Sequence, residues 1–320
     1  MSFSSEIKEE LSRQISNARH CRIAELAAII SMCGRIKISS DNKYKVYIHT
    51  ENITVARKYY SLLKKLYDLD VHVSVRRKPN RTTVLYSVVV SDSVISYKIL
   101  QAVKLINRDG DISENLSVVK NSIVQNSCCK RAFLRGAFLT SGSMSDPDKT
   151  YHFEIATATM EKATQIKDII KAFYIDAKIV PRKKQFIVYI KEGSQIVDIL
   201  NVMEAHVSLM NFENLRIIKE MRNVVNRQVN CETANIAKTV NAATRQIEDI
   251  MYIKNTVGFG ELSDGLRNIA ELRIEHPEMS LKDLGMKLNE PLGKSGVNHR
   301  LRKLSIIAES LRTERSKEEI

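Results

Sequence analysis

The chain has no apolar run long enough to cross a bilayer, no leader-like start and no CxxC pair, and each absence removes a class of protein. The longest apolar helical stretch, 23–32, is short and is interrupted by Glu25, so no membrane span is expected. The opening residues MSFSSEIKEELSR carry acids where a secretory leader needs an apolar core. The cysteines, Cys21, Cys33, Cys128, Cys129 and Cys231, are odd in number. No histidine stands at a zinc-ligand spacing beside them, and His20 and Cys21 are neighbours whose side chains diverge on a helix. The cysteines therefore read as free thiols of a reducing compartment, and neither a metal site nor a cofactor is expected. Acid is also in short supply: 37 Asp and Glu face 50 Lys and Arg, a formal charge of +13. That excess favours a polyanionic partner without distinguishing DNA, RNA or an anionic membrane. With 43% hydrophobic and 27% charged residues, the expectation is a soluble, cytoplasmic protein.

Taken in order, the chain repeats itself. A short helix or arm occupies 1–19. Residues 22–34 (RIAELAAIISMCG) spell an apolar helix ended by a glycine C-cap. Residues 44–50 alternate like a strand, and 53–67 form an amphipathic helix. Strands at 71–75 and 84–90 flank the basic turn RRKPNRT, and a helix at 93–105 closes the unit before a break at 107–110. The same order returns with an apolar, glycine-ended helix at 130–142 (KRAFLRGAFLTSG) and a strand at 151–157. A helix follows, then strands at 177–180 and 185–190 about the turn PRKK, and a helix at 194–204. Tyr44, Val46, Ile48 and Thr50 match Tyr151, Phe153, Ile155 and Thr157; Ile53, Ala56, Leu63 and Leu66 match Met160, Ala163, Ile170 and Phe173. An α+β fold with a tandem αββαββα repeat follows. Ala24 and Ala28 occupy positions equivalent to Ala132 and Gly136, one turn apart in each lead helix. Small residues so placed predict two helices crossing closely at a pseudo-twofold centre.

The last third reads as helical throughout: a helix at 207–226, a polar joint NRQVNCETAN around Cys231, a long helix at 234–254, and a hairpin at 280–308. In the hairpin, Ser280 and Asp283 make an approximate capping box, and Leu281, Leu284 and Leu288 line one face. Asn289, Pro291 and Gly293 break the helix. Ser295 is expected to cap a second helix that buries Val297, Leu301, Leu304 and Ala308. No acid occurs from 292 to 308. A helix held by one face and offering amide and guanidinium groups on the other is the pattern of a helix-turn-helix reader. The expected organisation is thus an arm at 1–19, repeats at 20–110 and 127–206 joined by a linker at 111–126, a connecting helix and joint at 207–230, and an all-α helix-turn-helix domain at 231–320.

The two glycine-ended helices, each leading an αββαββα unit, resemble the LAGLIDADG homing-endonuclease fold, with LAAIISMCG at 26–34 and LRGAFLTSG at 134–142 lying on its motif. With NRQVNCETAN and KSGVNHRLRK in the added helical region, almost the whole chain resembles the bacterial WhiA family. The LAGLIDADG resemblance implies a pair of carboxylates at the helix ends, holding divalent metal for phosphodiester hydrolysis. Here Cys33 and Ser141 precede the glycines, and Ser31 and Leu139 replace the other motif acid. A thiol and a hydroxyl do not assemble a magnesium site. Asp41, Asp146 and Asp148 would have to fold back to substitute, so no catalytic residue, no metal and no enzyme activity are expected.

The WhiA resemblance implies a transcription regulator linked to cell division, chromosome segregation or sporulation, associated with the nucleoid. Such a regulator is expected to bind double-stranded DNA, with RNA polymerase or a sigma factor as a further partner; two repeats in one chain already supply a pseudo-dimer, so a monomer is the default expectation. Asn298 is expected to pair with adenine and Arg302 with guanine, His299 to touch a base edge or solvent, and Lys294, Ser295, Arg300 and Lys303 to hold phosphates. The inter-strand residues Arg76, Arg77, Lys78, Arg81, Arg182, Lys183 and Lys184 are candidates for backbone contacts at the rim of a saddle. A residual metal-dependent endonuclease and a protein-interaction module are the competing readings.

Overall fold

The structure, a computed structural model, describes residues 2–38, 43–69, 71–77, 84–106 and 118–318, which divide into two compact units, 1–220 and 221–320. The 107–110 break and the first part of the linker lie outside the described residues, as do Asp41, Lys78 and Arg81.

The first unit is built on two helices, α2 (Arg19–Cys33) and α5 (Ser127–Ser141), which pack against each other. Ala24, Ala28 and Ala132 are fully buried where they meet. A Cβ on Gly136 would lie 2.7 Å from the Glu25 carbonyl oxygen and 2.8 Å from Ala28 Cβ. The small residues therefore bring the two backbones together, as their spacing predicts.

Each lead helix feeds an antiparallel sheet. β1 (Gly34–Ile38), β2 (Tyr44–Thr50), β3 (His72–Arg77) and β4 (Val84–Val90) are ordered β1-β2-β4-β3. β5 (Gly142–Met144), β6 (Phe153–Thr157), β7 (Lys178–Arg182) and β8 (Gln185–Ile190) repeat that order as β5-β6-β8-β7. The registers agree residue for residue: Val46 faces Val90 and Ile48 faces Val88, as Phe153 faces Ile190 and Ile155 faces Val188. The helices α3 (Ile53–Tyr67), α4 (Ser93–Ala102), α6 (Met160–Lys171) and α7 (Gly193–Val202) complete the two repeats. Val46, Ile48, Val88 and Val90 point into the core on one face of the first sheet; Phe153, Ile155, Val188 and Ile190 do so in the second.

Several expectations change. The N-terminal segment is not an arm: α1 (Phe3–Arg13) buries Ile7 and Leu11 completely and packs on α3 and α5. β1 and β5, the first strand of each repeat, were not located by alternation because they begin at the helix-ending glycine itself. Those glycines are C-caps with extended backbone (φ −75° at Gly34 and −79° at Gly142), not left-handed ones, because the chain turns directly into a strand. The polar joint around Cys231 is continuous helix: α8 runs from His206 to Thr256. Nothing in that stretch breaks a helix, since it contains neither Gly nor Pro. Glu10 of α1 anchors its start, the carboxylate accepting from the Val207 and Ser208 backbone N–H groups at 2.8 and 2.9 Å, as the helix dipole favours.

Glu25, which interrupts the apolar pattern of α2, lies fully buried between cations. Lys58 Nζ is 2.9 Å and Arg135 Nε 3.5 Å from its carboxylate, and Arg135 also meets Glu204 at 2.5 Å. Desolvation pushes the Glu25 carboxyl up and the Lys58 amine down against their mutual attraction. Lys58 also donates to the carbonyls of Leu11 and Gln14, tying α1 to the same centre.

The second unit contains the end of α8, α9 (Asp264–Glu275), α10 (Leu281–Lys287) and α11 (Lys294–Glu318). Ile250, Ile253, Ile269, Ala270, Leu284, Val297, Leu301, Leu304 and Ala308 form its core. Buried Arg273 links three segments, with Nε donating to Gln246 Oε1 at 3.1 Å and Nη1 to the Met279 carbonyl at 2.7 Å.

Candidate nucleic-acid interface

The helical hairpin forms as its residues require. Ser280 Oγ accepts from the Asp283 backbone N–H and donates to its carboxylate at 2.7 Å, capping α10. The turn then folds back so tightly that the Leu292 N–H donates to the Gly285 carbonyl at 3.0 Å. A Cβ on Gly285 would sit 2.0 Å from the Leu292 oxygen and 3.0 Å from Val297 Cγ2. Glycine is what lets the turn and α11 lie against α10.

α11 buries Val297, Leu301, Leu304 and Ala308, the stripe expected from the spacing. Two details differ. The Val297 N–H donates to the Gly293 carbonyl, so the helix begins at Lys294 and Ser295 lies in its first turn rather than capping it. The helix also continues past Ala308 to Glu318, where nothing in the sequence stops it. At about 100° per residue, Ser295, His299 and Arg302 lie opposite the buried stripe, Lys303 beside them, and Asn298 on one flank. Asn298, His299, Arg302, Lys303, Lys294 and Ser295 are all exposed. Arg300 is turned the other way: its Nη1 donates to the Gly265 carbonyl at 3.2 Å, joining α11 to α9.

Asn298 and Arg302 line a groove of about 450 Å³ with Lys238, Asn241 and Arg245 of α8. These three were missed from the sequence. Their spacing of three and four marks one helix face, a signal hidden by treating polar residues as mere solvent cover.

In the first unit, strand pairing decides which cations share a surface. Arg35 opposes Tyr47 and Lys37 opposes Lys45, and the same open face continues through Ser87 to Ser74 and through Leu85 to Arg76. Arg35, Lys37, Lys45 and Arg76 therefore project from one side of a sheet whose strands contain no acid. Arg76 and Arg77 belong to β3 rather than to the turn, and fall on opposite faces by alternation. In the second sheet, Arg182 ends β7 and lies 3.7 Å from Glu154, while Lys183 and Lys184 form the hairpin turn, Lys183 at φ 57°. The first sheet is the more cationic. The shared face of Arg35, Lys37, Lys45 and Arg76 carries no local sequence signal, because alternation alone does not say which strands are neighbours.

At the C-terminal ends of α2 and α5, the nuclease motif carries different chemistry. Cys33 Sγ donates to the Ile29 carbonyl, and burial pushes its thiol up to about 12. Lys162 of α6 donates to the Ser31 carbonyl. Asp146 is exposed and accepts from the Asp148 N–H at 3.1 Å within its own turn. A neutral thiol, a hydroxyl and an ammonium group are a poor donor set for a hard divalent ion.

Three family models match in succession: the WhiA N-terminal LAGLIDADG-like domain over 19–106, the WhiA LAGLIDADG-like domain over 130–222 and the WhiA C-terminal HTH domain over 225–308. The probable cell division protein WhiA of Lachnoclostridium phytofermentans is 56% identical over 314 residues, covering 98% of this chain and 100% of the relative. That of Alkaliphilus oremlandii is 50% identical, covering 97% and 98%. Among solved structures, full-length DUF199/WhiA from Thermatoga maritima matches with a TM-score of 0.57 at 27% identity, covering 97% of this chain and 99% of that one.

Proposed function

Because the chain belongs to the WhiA family, we propose that it is a sequence-specific double-stranded DNA-binding regulator without nuclease activity. The observation that carries this reading is the exposed face of α11, which presents Arg302, His299 and Ser295 opposite its core stripe. Arg302 suits a bidentate contact with guanine and Asn298 one with adenine. Lys294 and Lys303, with Lys238 and Arg245 across the groove, serve the phosphates. Arg300 positions α11 on α9 rather than reaching DNA. His299 faces the same side as Arg302 and meets a base edge.

The LAGLIDADG-like domain contributes sequence-independent affinity through Arg35, Lys37, Lys45 and Arg76, with Arg77, Arg182, Lys183 and Lys184 at the margins. The poor donor set at Cys33 and Ser141 supports binding without hydrolysis. The names of the relatives supply the setting, and we extend it to genes of cell division, chromosome segregation or sporulation. RNA polymerase or a sigma factor is the protein partner that a promoter-bound regulator would meet, with the chain bound at the nucleoid as a monomer. No helix among the described residues is long and apolar enough to cross a membrane.

Genome-wide mapping of bound DNA tests the proposal. Combined Asn298→Ala and Arg302→Ala should abolish site preference, each bidentate base pairing being worth roughly 1–3 kcal/mol of discrimination. Sites occupied unchanged by the double variant would remove α11 as the reader. Magnesium-dependent nicking of duplex DNA, abolished in Asp146→Asn with Asp148→Asn, would restore the nuclease reading.

A further inference from the structure

The opposite ends of the two crossing helices hold a second constellation, which the sequence spacing argued against. His20 and Cys21 stand in the first turn of α2, and Cys128 and Cys129 in the first turn of α5. The ligand atoms of all four lie within 4.8 Å of one another. His20 Nδ1 is 3.1 Å from Cys129 Sγ, 3.4 Å from Cys21 Sγ and 4.0 Å from Cys128 Sγ. Ligand spacing along the chain reveals only sites whose ligands come in close sequence pairs. Here the crossing of the two repeats supplies them.

The pseudo-twofold orders the cluster. Each helix offers its second and third residues, and the third, Cys21 or Cys129, is buried while the second, His20 or Cys128, is exposed. A tetrahedral ion bound at ~2.3 Å to sulfur and ~2.0–2.1 Å to nitrogen spaces its ligands at roughly 3.5–3.8 Å, which the observed nitrogen–sulfur distances bracket. Three soft sulfurs and one imidazole select zinc over hard ions. Both helices also start without a side-chain cap, since Ala18 and Asn126 make no capping hydrogen bond, as is true of Glu192 and Ser263 before α7 and α9. Two uncapped helix starts favour the negative charge that three thiolates leave on a zinc complex.

We propose that His20, Cys21, Cys128 and Cys129 hold one zinc ion that fastens the start of α2 to the start of α5. All four positions are filled by protein, so the ion is structural and leaves no site for water or substrate. The nuclease motif occupies the other ends of the same helices and takes no part. His20 binds through Nδ1 and keeps its proton on Nε2.

The full-length protein, purified under reducing conditions without chelator, should carry one zinc per chain by elemental analysis. Cys231→Ser should retain it, and His20→Ala with Cys128→Ser, which alters only the exposed pair, should lose it. Protein stripped of metal and shown by circular dichroism to be folded should take up cobalt(II), with the visible bands of a tetrahedral thiolate site that zinc then displaces. Metal-loaded protein should melt higher than stripped protein. Folded, fully reduced protein that binds neither ion would overturn the proposal. So would zinc that follows Cys231 instead of the cluster, or native protein whose clustered cysteines are joined in a disulfide and hold no metal.

Discussion

Replacing Gly136 by alanine should destabilise the first unit although alanine is the better helix former. The new methyl carbon would stand 2.7 Å from the Glu25 carbonyl oxygen and 2.8 Å from Ala28 Cβ. Carbon atoms rest at about 3.5–4.0 Å, so α2 and α5 must move apart by roughly 0.7–1 Å at their crossing. Overpacking of this kind costs about 1–3 kcal/mol. Alanine returns roughly 1 kcal/mol of helix propensity. The net expectation is destabilisation of about 1–2 kcal/mol, since the atom met is backbone on a helix that is itself clamped by the buried Glu25 ion pairs. For a unit of this size that lowers Tm by roughly 2–8 °C. Calorimetry on the reduced protein reads it directly. Adding Ala28→Gly should restore only part of the stability, because it clears the 2.8 Å approach and leaves the carbonyl. A Gly136→Ala protein that melts at or above the parent temperature would show that the two helices do not approach as described.

Gly285→Ala should abolish specific DNA binding while the first unit still melts normally, since a methyl group 2.0 Å from the Leu292 oxygen forces the turn away from α10; gel shifts and calorimetry together separate the two effects. Lys58→Met should cost about 3–5 kcal/mol in denaturant unfolding, because Glu25 loses its nearer cation while remaining buried, and Lys58→Met with Glu25→Gln should recover a large share. Arg35→Gln with Lys37→Gln should weaken binding to unrelated DNA sequences equally and reduce the salt slope by about 0.9 for each phosphate no longer neutralised, with base preference unchanged. An unaltered slope would remove the first sheet from the interface.

The periodicities carry much of the architecture on their own. Apolar runs ended by glycine located the lead helices, and apolar spacing of three and four residues located the first turns of α11. Alternation located β2, a β-branched run located β4, and self-similarity between Tyr44–Thr50 and 151–157 carries the tandem repeat without any tertiary contact. These features are local: a helix face or a strand face is written in neighbouring residues. Places where the chain changes direction without a breaker were harder to see. The α8 joint looked irregular because it is polar, yet polar residues do not end a helix; glycine and proline do, and none occurs there. The motif acids were legible as missing, because Cys33 and Ser141 stand at fixed places before their glycines.

What the sequence by itself determined is therefore most of the helices and strands, their repetition, the small residues at the crossing and the exposed residues of α11. Only the tertiary structure decided which of these meet. It brought Lys58 and Arg135 to Glu25, turned Arg300 back to Gly265, and set Lys238 and Arg245 of α8 across a groove from Asn298 and Arg302. It also drew His20 and Cys21 together with Cys128 and Cys129. The reason is physical: these partners lie far apart along the chain, and their proximity depends on strand order and helix crossing, which no local spacing encodes.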